Sequence, residues 1–116
     1  DVCSSDLNAE EIYSLPGCDA IFIGPNDLRF QMREEDGTFP TPEAHEAAIQ
    51  EVIEIGKKTT CPTGIHAMDP VSAVQRAEQG MQFIAVESDL KFLTSQATAA
   101  LKIVYPDHDA GDVVRY

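Results

Sequence analysis

One carboxylate stands where α/β proteins place their chemistry. Ala20-Ile21-Phe22-Ile23 is a short apolar run, Gly24-Pro25 interrupts it, and Asn26-Asp27-Leu28 follows at once. A buried parallel strand delivers an acid to the carboxyl edge of its sheet in this way, and ligands of open and closed α/β sheets bind at that edge. Gly24 is expected to allow a tight turn or a close ligand approach, and Pro25 fixes its own φ. Spacing alone leaves Asp27 two roles, a ligand-facing acid or a cap for a following helix.

The other chemistry-bearing residues are less pointed. His66 sits in a second apolar stretch, Thr63–Ala67, where a histidine can relay a proton or simply line a rim. His45 falls on the expected exposed side of a helix and carries no assignment. Asp107-His108-Asp109 has metal-ligand spacing but belongs to a polar end, and it is read as solvent-facing. Ser88 has no base that the sequence identifies, so nucleophilic catalysis has no support. Cys18 and Cys61 form no CxxC and are read as free thiols in a reducing, cytoplasmic setting.

The elements that must position these residues alternate. The helix ending near Leu15 is closed by Pro16-Gly17. Ala20–Ile23 is a strand, residues 30–40 are turn-rich around Asp36-Gly37, and Thr41-Pro42-Glu43 opens a helix to Lys58. Ala44, Ala48, Val52 and Ile55, widened by Ile49 and Ile53, give that helix a core face. Thr63–Ala67 is a strand, and Asp69-Pro70 opens a helix that Gly80 closes at its C′ position. Phe83–Val86 is a strand, and a helix spans Asp89–Val104, with Phe92, Leu93 and Leu101 on its apolar side. Short strands apolar on both faces, each followed by a helix, predict an α/β fold with a parallel sheet. No GxGxxG or GxxxxGK[ST] is present, which removes the usual support for a nucleotide-binding sheet.

Length and charge bound the answer further. The chain has 116 residues and a net charge of −12, with 43% hydrophobic residues. That is one small domain, against the roughly 250 residues of a complete (β/α)8 barrel. Such acidity argues against nucleic acid or an anionic membrane as partner, and no apolar run is long enough for a transmembrane helix. Asp1-Val2-Cys3-Ser4-Ser5-Asp6-Leu7 matches the translated end of a common sequencing adapter and is set aside from fold reasoning. On this reading 1–7 are adapter-derived, 8–104 belong to a domain whose natural start lies upstream, and 105–116 are a flexible tail.

Pro16 to Leu28 resembles the HpcH/HpaI family of class II 2-keto-acid aldolases, with PGVDxxFIGPxDLS as the family signature. The resemblance continues through Gly56-Lys57-Lys58, Gly64-Ile65 and Gly80-Met81-Gln82-Phe83-Ile84-Ala85-Val86, followed by Ser88-Asp89. It implies the C-terminal portion of a (β/α)8 TIM barrel, about strands six to eight with their helices. It also implies reversible cleavage of 4-hydroxy-2-keto acids to pyruvate and an aldehyde, assisted by Mg²⁺, Mn²⁺ or Co²⁺ as Lewis acid. Asp27 matches the family's metal-binding aspartate. Gly24, Pro25, Asn26 and Asp27 would form the loop gripping the pyruvate carboxylate, and Ile65 and His66 would lie near the substrate. The second metal ligand, a glutamate, and the catalytic arginine and histidine would lie upstream, so no catalytic residue is assigned here. A homo-oligomer, a hexamer by family, is implied for the full-length protein.

Three positions depart from the family pattern. Arg29 stands in place of Ser, His66 in place of an apolar residue, and Glu87 in place of Gly after the last strand. A lyase of the citrate-lyase-β or malyl-CoA type is an alternative, without the basic CoA surface it needs. A non-catalytic fragment or subunit is another.

Overall fold

Three of the helices begin with proline directly behind a residue in extended conformation, and these starts punctuate the chain. The computed structural model describes residues 2–106, with side chains from Asn8 onward. In order, the elements are α1 (Val2–Tyr13), β1 (Ile21–Ile23), α2 (Pro25–Gln31), α3 (Pro42–Thr59), β2 (Thr63–Ala67), α4 (Pro70–Glu78), β3 (Phe83–Val86) and α5 (Asp89–Val104). Residues up to Val86 make one unit and residues from Glu87 another.

The expected starts are present. The Thr41 side chain accepts from the Ala44 amide at 3.2 Å, and Pro42 occupies the first turn of α3. Asp69 caps α4 the same way, accepting from the Ser72 amide at 2.9 Å. Each cap satisfies one of the amides that a helix start leaves without a carbonyl. Gly80, at φ +103°, takes the left-handed turn that ends α4. Asp36-Gly37 forms the expected turn, with the Thr38 amide donating to Asp36 Oδ1 at 2.8 Å.

The sheet is parallel, in order β1-β2-β3. Ile23 pairs with Ile65, and Ile65 with Ile84. Ile23 and Ile65 of this row form the core with Ile49, Ile53 and Met81, against which Leu28, Val52 and Ile84 pack. The α3 face therefore centres on Ile49, Ile53 and Gly56. Ala44, expected inside, is exposed.

The opposite face is open. Phe22, Gly64 and Phe83 are cross-strand neighbours there, and the two phenyl rings meet over the glycine, with centroids 5.4 Å apart. A Cβ on Gly64 would collide with the Phe83 carbonyl oxygen and Cβ. Glycine is thus what lets the rings close over β2. Phe22 is nevertheless 49% exposed and Phe83 63%. The expected burial on both faces holds for the α3 side only.

In its own unit, α5 is capped by Ser88, whose side chain accepts from the Lys91 amide at 3.2 Å. Phe92, Leu93, Leu101 and Ile103 are exposed along it.

Candidate functional site

Because the strands are parallel, the residues that follow β1 and β2 emerge at one edge of the sheet. Gly24 to Asp27 follow β1. Gly24 is the N-cap and Pro25 to Asp27 the first turn of α2, a short helix that begins ahead of Asp27 rather than behind it. Pro25 supplies the helical φ, Asp27 the acid favoured near a helix start, and Leu28 reaches the core as the helix's anchor. Seven residues are too few for hydrophobic periodicity to reveal, and only the Pro-to-Asp spacing signals this helix.

Gly24 takes φ −88° and ψ 101°, a conformation open to any residue. Of the two roles expected for it, the tight turn is therefore not the one its backbone uses. A Cβ at Gly24 would sit 2.5 Å from Asp27 Oδ2. The missing side chain is the space in which the Asp27 carboxylate lies.

His45 belongs to the same arrangement and escaped the sequence reading. Its Nε2 lies 2.9 Å from the Pro25 carbonyl oxygen, so a tautomer with the proton on Nε2 donates to α2 from α3. Helical spacing places this side chain on the exposed side of α3, but the Pro25 carbonyl of α2 comes within reach of its ring. The turn carrying Asp27 is therefore held at two points, by Leu28 in the core and by His45 at Pro25.

Of the remaining candidates, Asn26 and Asp27 are exposed and Pro25 is half-buried. His66 is half-buried and pairs across the sheet with Ala85, on the face shared with Phe22 and Gly64. Ile65 departs from expectation. It is 2% exposed and packs on Ile23 and Ile53 in the core, because strand alternation points it toward α3. Its side chain is a core side chain. Arg29 lies in the last turn of α2 and is exposed. Its guanidinium stacks 4.8 Å from the Phe39 ring centroid, and Arg33 stacks on Phe30 at 5.0 Å.

Glu87 follows β3 with φ +52°, the left-handed region that favours glycine. Asp107-His108-Asp109 lies outside the described residues.

A divalent metal of the Mg²⁺ type asks for several hard oxygen ligands. The Asp27 carboxylate has the right chemistry for one of them. Among the described residues no three His, Cys, Asp or Glu side chains gather as a metal cluster. Among the described residues, Asp27 is thus not joined by a set of further ligands of these types.

The family model described as HpcH/HpaI aldolase/citrate lyase matches residues 6–96. The chain belongs to this family. It is 38% identical over 93 residues to a hydroxypyruvate/pyruvate aldolase of Sagittula stellata, covering 78% of this chain and 35% of the relative. It is 36% identical over 94 residues to a 2-dehydro-3,6-dideoxy-6-sulfogluconate aldolase of Pseudomonas putida, covering 81% of this chain and 36% of that one. The crystal structure of an HpcH/HpaI aldolase/citrate lyase family protein from Burkholderia cenocepacia superposes with a TM-score of 0.75 at 32% identity, covering 85% of this chain and 38% of that chain. The chain thus spans about a third of the length of these relatives.

Among the described residues, no helix is long and apolar enough to cross a membrane.

Proposed function

We propose that this chain contributes the C-terminal strands, about six to eight, of a (β/α)8 aldolase barrel. The complete enzyme would cleave a 4-hydroxy-2-keto acid reversibly to pyruvate and an aldehyde in the cytoplasm. The carrying observation is the Asp27 turn: an acid at the carboxyl edge of a parallel sheet, with its carboxylate in the space left by Gly24 and its backbone held by His45. The family match over the same residues supports it.

In this reading Asp27 supplies one oxygen ligand to Mg²⁺, Mn²⁺ or Co²⁺. A divalent ion bound there would supply Lewis-acid polarisation of the keto acid. The chain's own part is binding and orientation. The first-turn amides of Asn26 and Asp27, which a helix start leaves without carbonyl partners, would receive the pyruvate carboxylate. His66, on the open sheet face beyond Phe22 and Gly64, would border the aldehyde portion. No general acid or base is assigned to the described residues. A glutamate ligand, an arginine and a histidine are proposed to come from chain outside this sequence.

The open face of Phe22 and Phe83 would be covered by that remaining chain, and the exposed apolar residues of α5 by a neighbouring subunit of a homo-oligomer. The test joins this sequence to its upstream coding region and assays pyruvate release with each metal. Metal-dependent release that Asp27→Ala reduces by at least about 100-fold supports the reading. Release that is independent of metal and of Asp27, or an upstream region without the glutamate, overturns it.

A further inference from the structure

Cys18 and Cys61 are far apart in sequence and adjacent in space. Their sulfurs are 3.8 Å apart, and Cys61 Sγ also lies 3.5 Å from the Cys18 carbonyl oxygen. Both are free thiols. They sit at the end of the sheet opposite Asp27. Cys18 precedes β1 and Cys61 precedes β2, where the Ile21 amide donates to the Pro62 carbonyl at 2.9 Å and opens the β1–β2 ladder.

Their surroundings differ. Cys61 is 5% exposed, whereas Cys18 is half-buried. Burial first, and then the hydrogen bond with Cys18, push the Cys61 thiol above its usual range. An oxidant from solvent therefore meets Cys18 first, with Cys61 behind it in position to resolve the product.

We propose that Cys18 and Cys61 are an oxidation site that closes to a reversible intramolecular disulfide, clamping the starting ends of β1 and β2. The co-reactant is a peroxide. Cys18 gives up its thiol proton, its sulfur attacks one peroxide oxygen, the O–O bond breaks, and a sulfenic acid forms while the departing hydroxide takes that proton and leaves as one water. The Cys61 sulfur then attacks the Cys18 sulfur, the S–O bond breaks, and the hydroxyl leaves as a second water with the thiol proton. Two thiols and one hydrogen peroxide give one disulfide and two waters; the sulfurs lose two electrons and the peroxide gains them. A small disulfide such as oxidised glutathione gives the same product by two exchange steps, releasing two reduced thiols. The site is independent of the aldolase reading.

The test uses the full chain with Cys3→Ser, so that one intramolecular pair remains. Equilibration in glutathione buffers gives the effective concentration of the two thiols for each other, in plain buffer and in concentrated urea. The expected value in buffer exceeds that in urea by roughly 30- to 1,000-fold, the range by which a native disulfide and a fold support each other. Peroxide should give a monomer two mass units lighter, reversed by dithiothreitol, with Cys18 and Cys61 in the linked peptide. Cys18→Ser and Cys61→Ser should each abolish that product. Equal effective concentrations in buffer and urea, or products that are chiefly intermolecular dimers or glutathione adducts, overturn the proposal.

Discussion

The Arg76 guanidinium grips both carboxylate oxygens of Glu46, Nη1 to Oε1 at 2.6 Å and Nη2 to Oε2 at 2.7 Å. This fork joins α4 to α3 across the sheet's covered side, and Gln50 adds a third donor at 2.9 Å. The Arg76 hydrogen bonds hold the Glu46 carboxyl well below its usual 4.5, at about 2, against an opposing push from burial. The folded state thus binds this proton more weakly than the unfolded chain. Its contribution is complete above the unfolded value and is lost as pH falls from about 4.5 to about 2. The Glu46 side chain is 39% exposed, so solvent screening reduces the contribution to about 1 kcal/mol. Glu46→Gln should lower stability by about that amount at neutral pH. Urea midpoints of parent and variant should converge as pH falls toward 2; a constant gap would assign the effect to packing.

Gly64 is fixed by contact. Because its Cβ position meets both backbone and side chain of Phe83, the clash cannot be relieved by a rotamer change alone. Gly64→Ala should cost about 2–3 kcal/mol by forcing β2 and β3 apart or displacing both phenyl rings. A denaturant titration reads this. A change below about 0.5 kcal/mol would mean that the ring pair does not set the strand spacing.

Thr60 closes α3 at φ +59°, with its amide facing the Gly56 and Lys57 carbonyls. A β-branched residue is strained in this left-handed conformation, which glycine adopts freely. Thr60→Gly should raise stability by about 0.5–1 kcal/mol. Thermal melting checks the sign, and a loss of stability would show that the Thr60 side chain makes a compensating contact.

The legible parts of the sequence were those with strong local chemistry. Thr41-Pro42, Asp69-Pro70 and Gly80 announced their helix ends because a cap or a left-handed glycine is specified by adjacent residues. The strands were legible from short apolar runs, and the family motifs marked the Gly24–Asp27 turn. Three features were not legible because they depend on what packs across. Ile65 follows the motif's Gly64, but alternation turns it into the core. His45 looked solvent-facing because α2, whose Pro25 carbonyl it reaches, is too short to show a periodicity. Cys18 and Cys61 become neighbours only when β1 and β2 pair in register.

Gly24 and His45 together allow the proposed role of Asp27 to be separated from stability. A methyl group at Gly24 displaces the far end of the flexible Asp27 side chain, which can swing into solvent at little cost to the fold. His45→Ala removes the bond to Pro25 O while leaving the Leu28 anchor in place. In the complete protein, Gly24→Ala and His45→Ala should each weaken Mn²⁺ binding by about 10- to 100-fold, the scale on which outer groups orient a metal ligand. Gly24→Ala should change the unfolding free energy, read by urea denaturation, by less than about 0.5 kcal/mol. His45→Gln, whose amide can still donate to Pro25 O, should recover part of the affinity. Titration calorimetry with Mn²⁺ beside denaturation of the same samples measures both quantities. If Gly24→Ala leaves Mn²⁺ affinity unchanged, the Asp27 carboxylate is not held for a metal, and its place on α2 reduces to that of a first-turn acid.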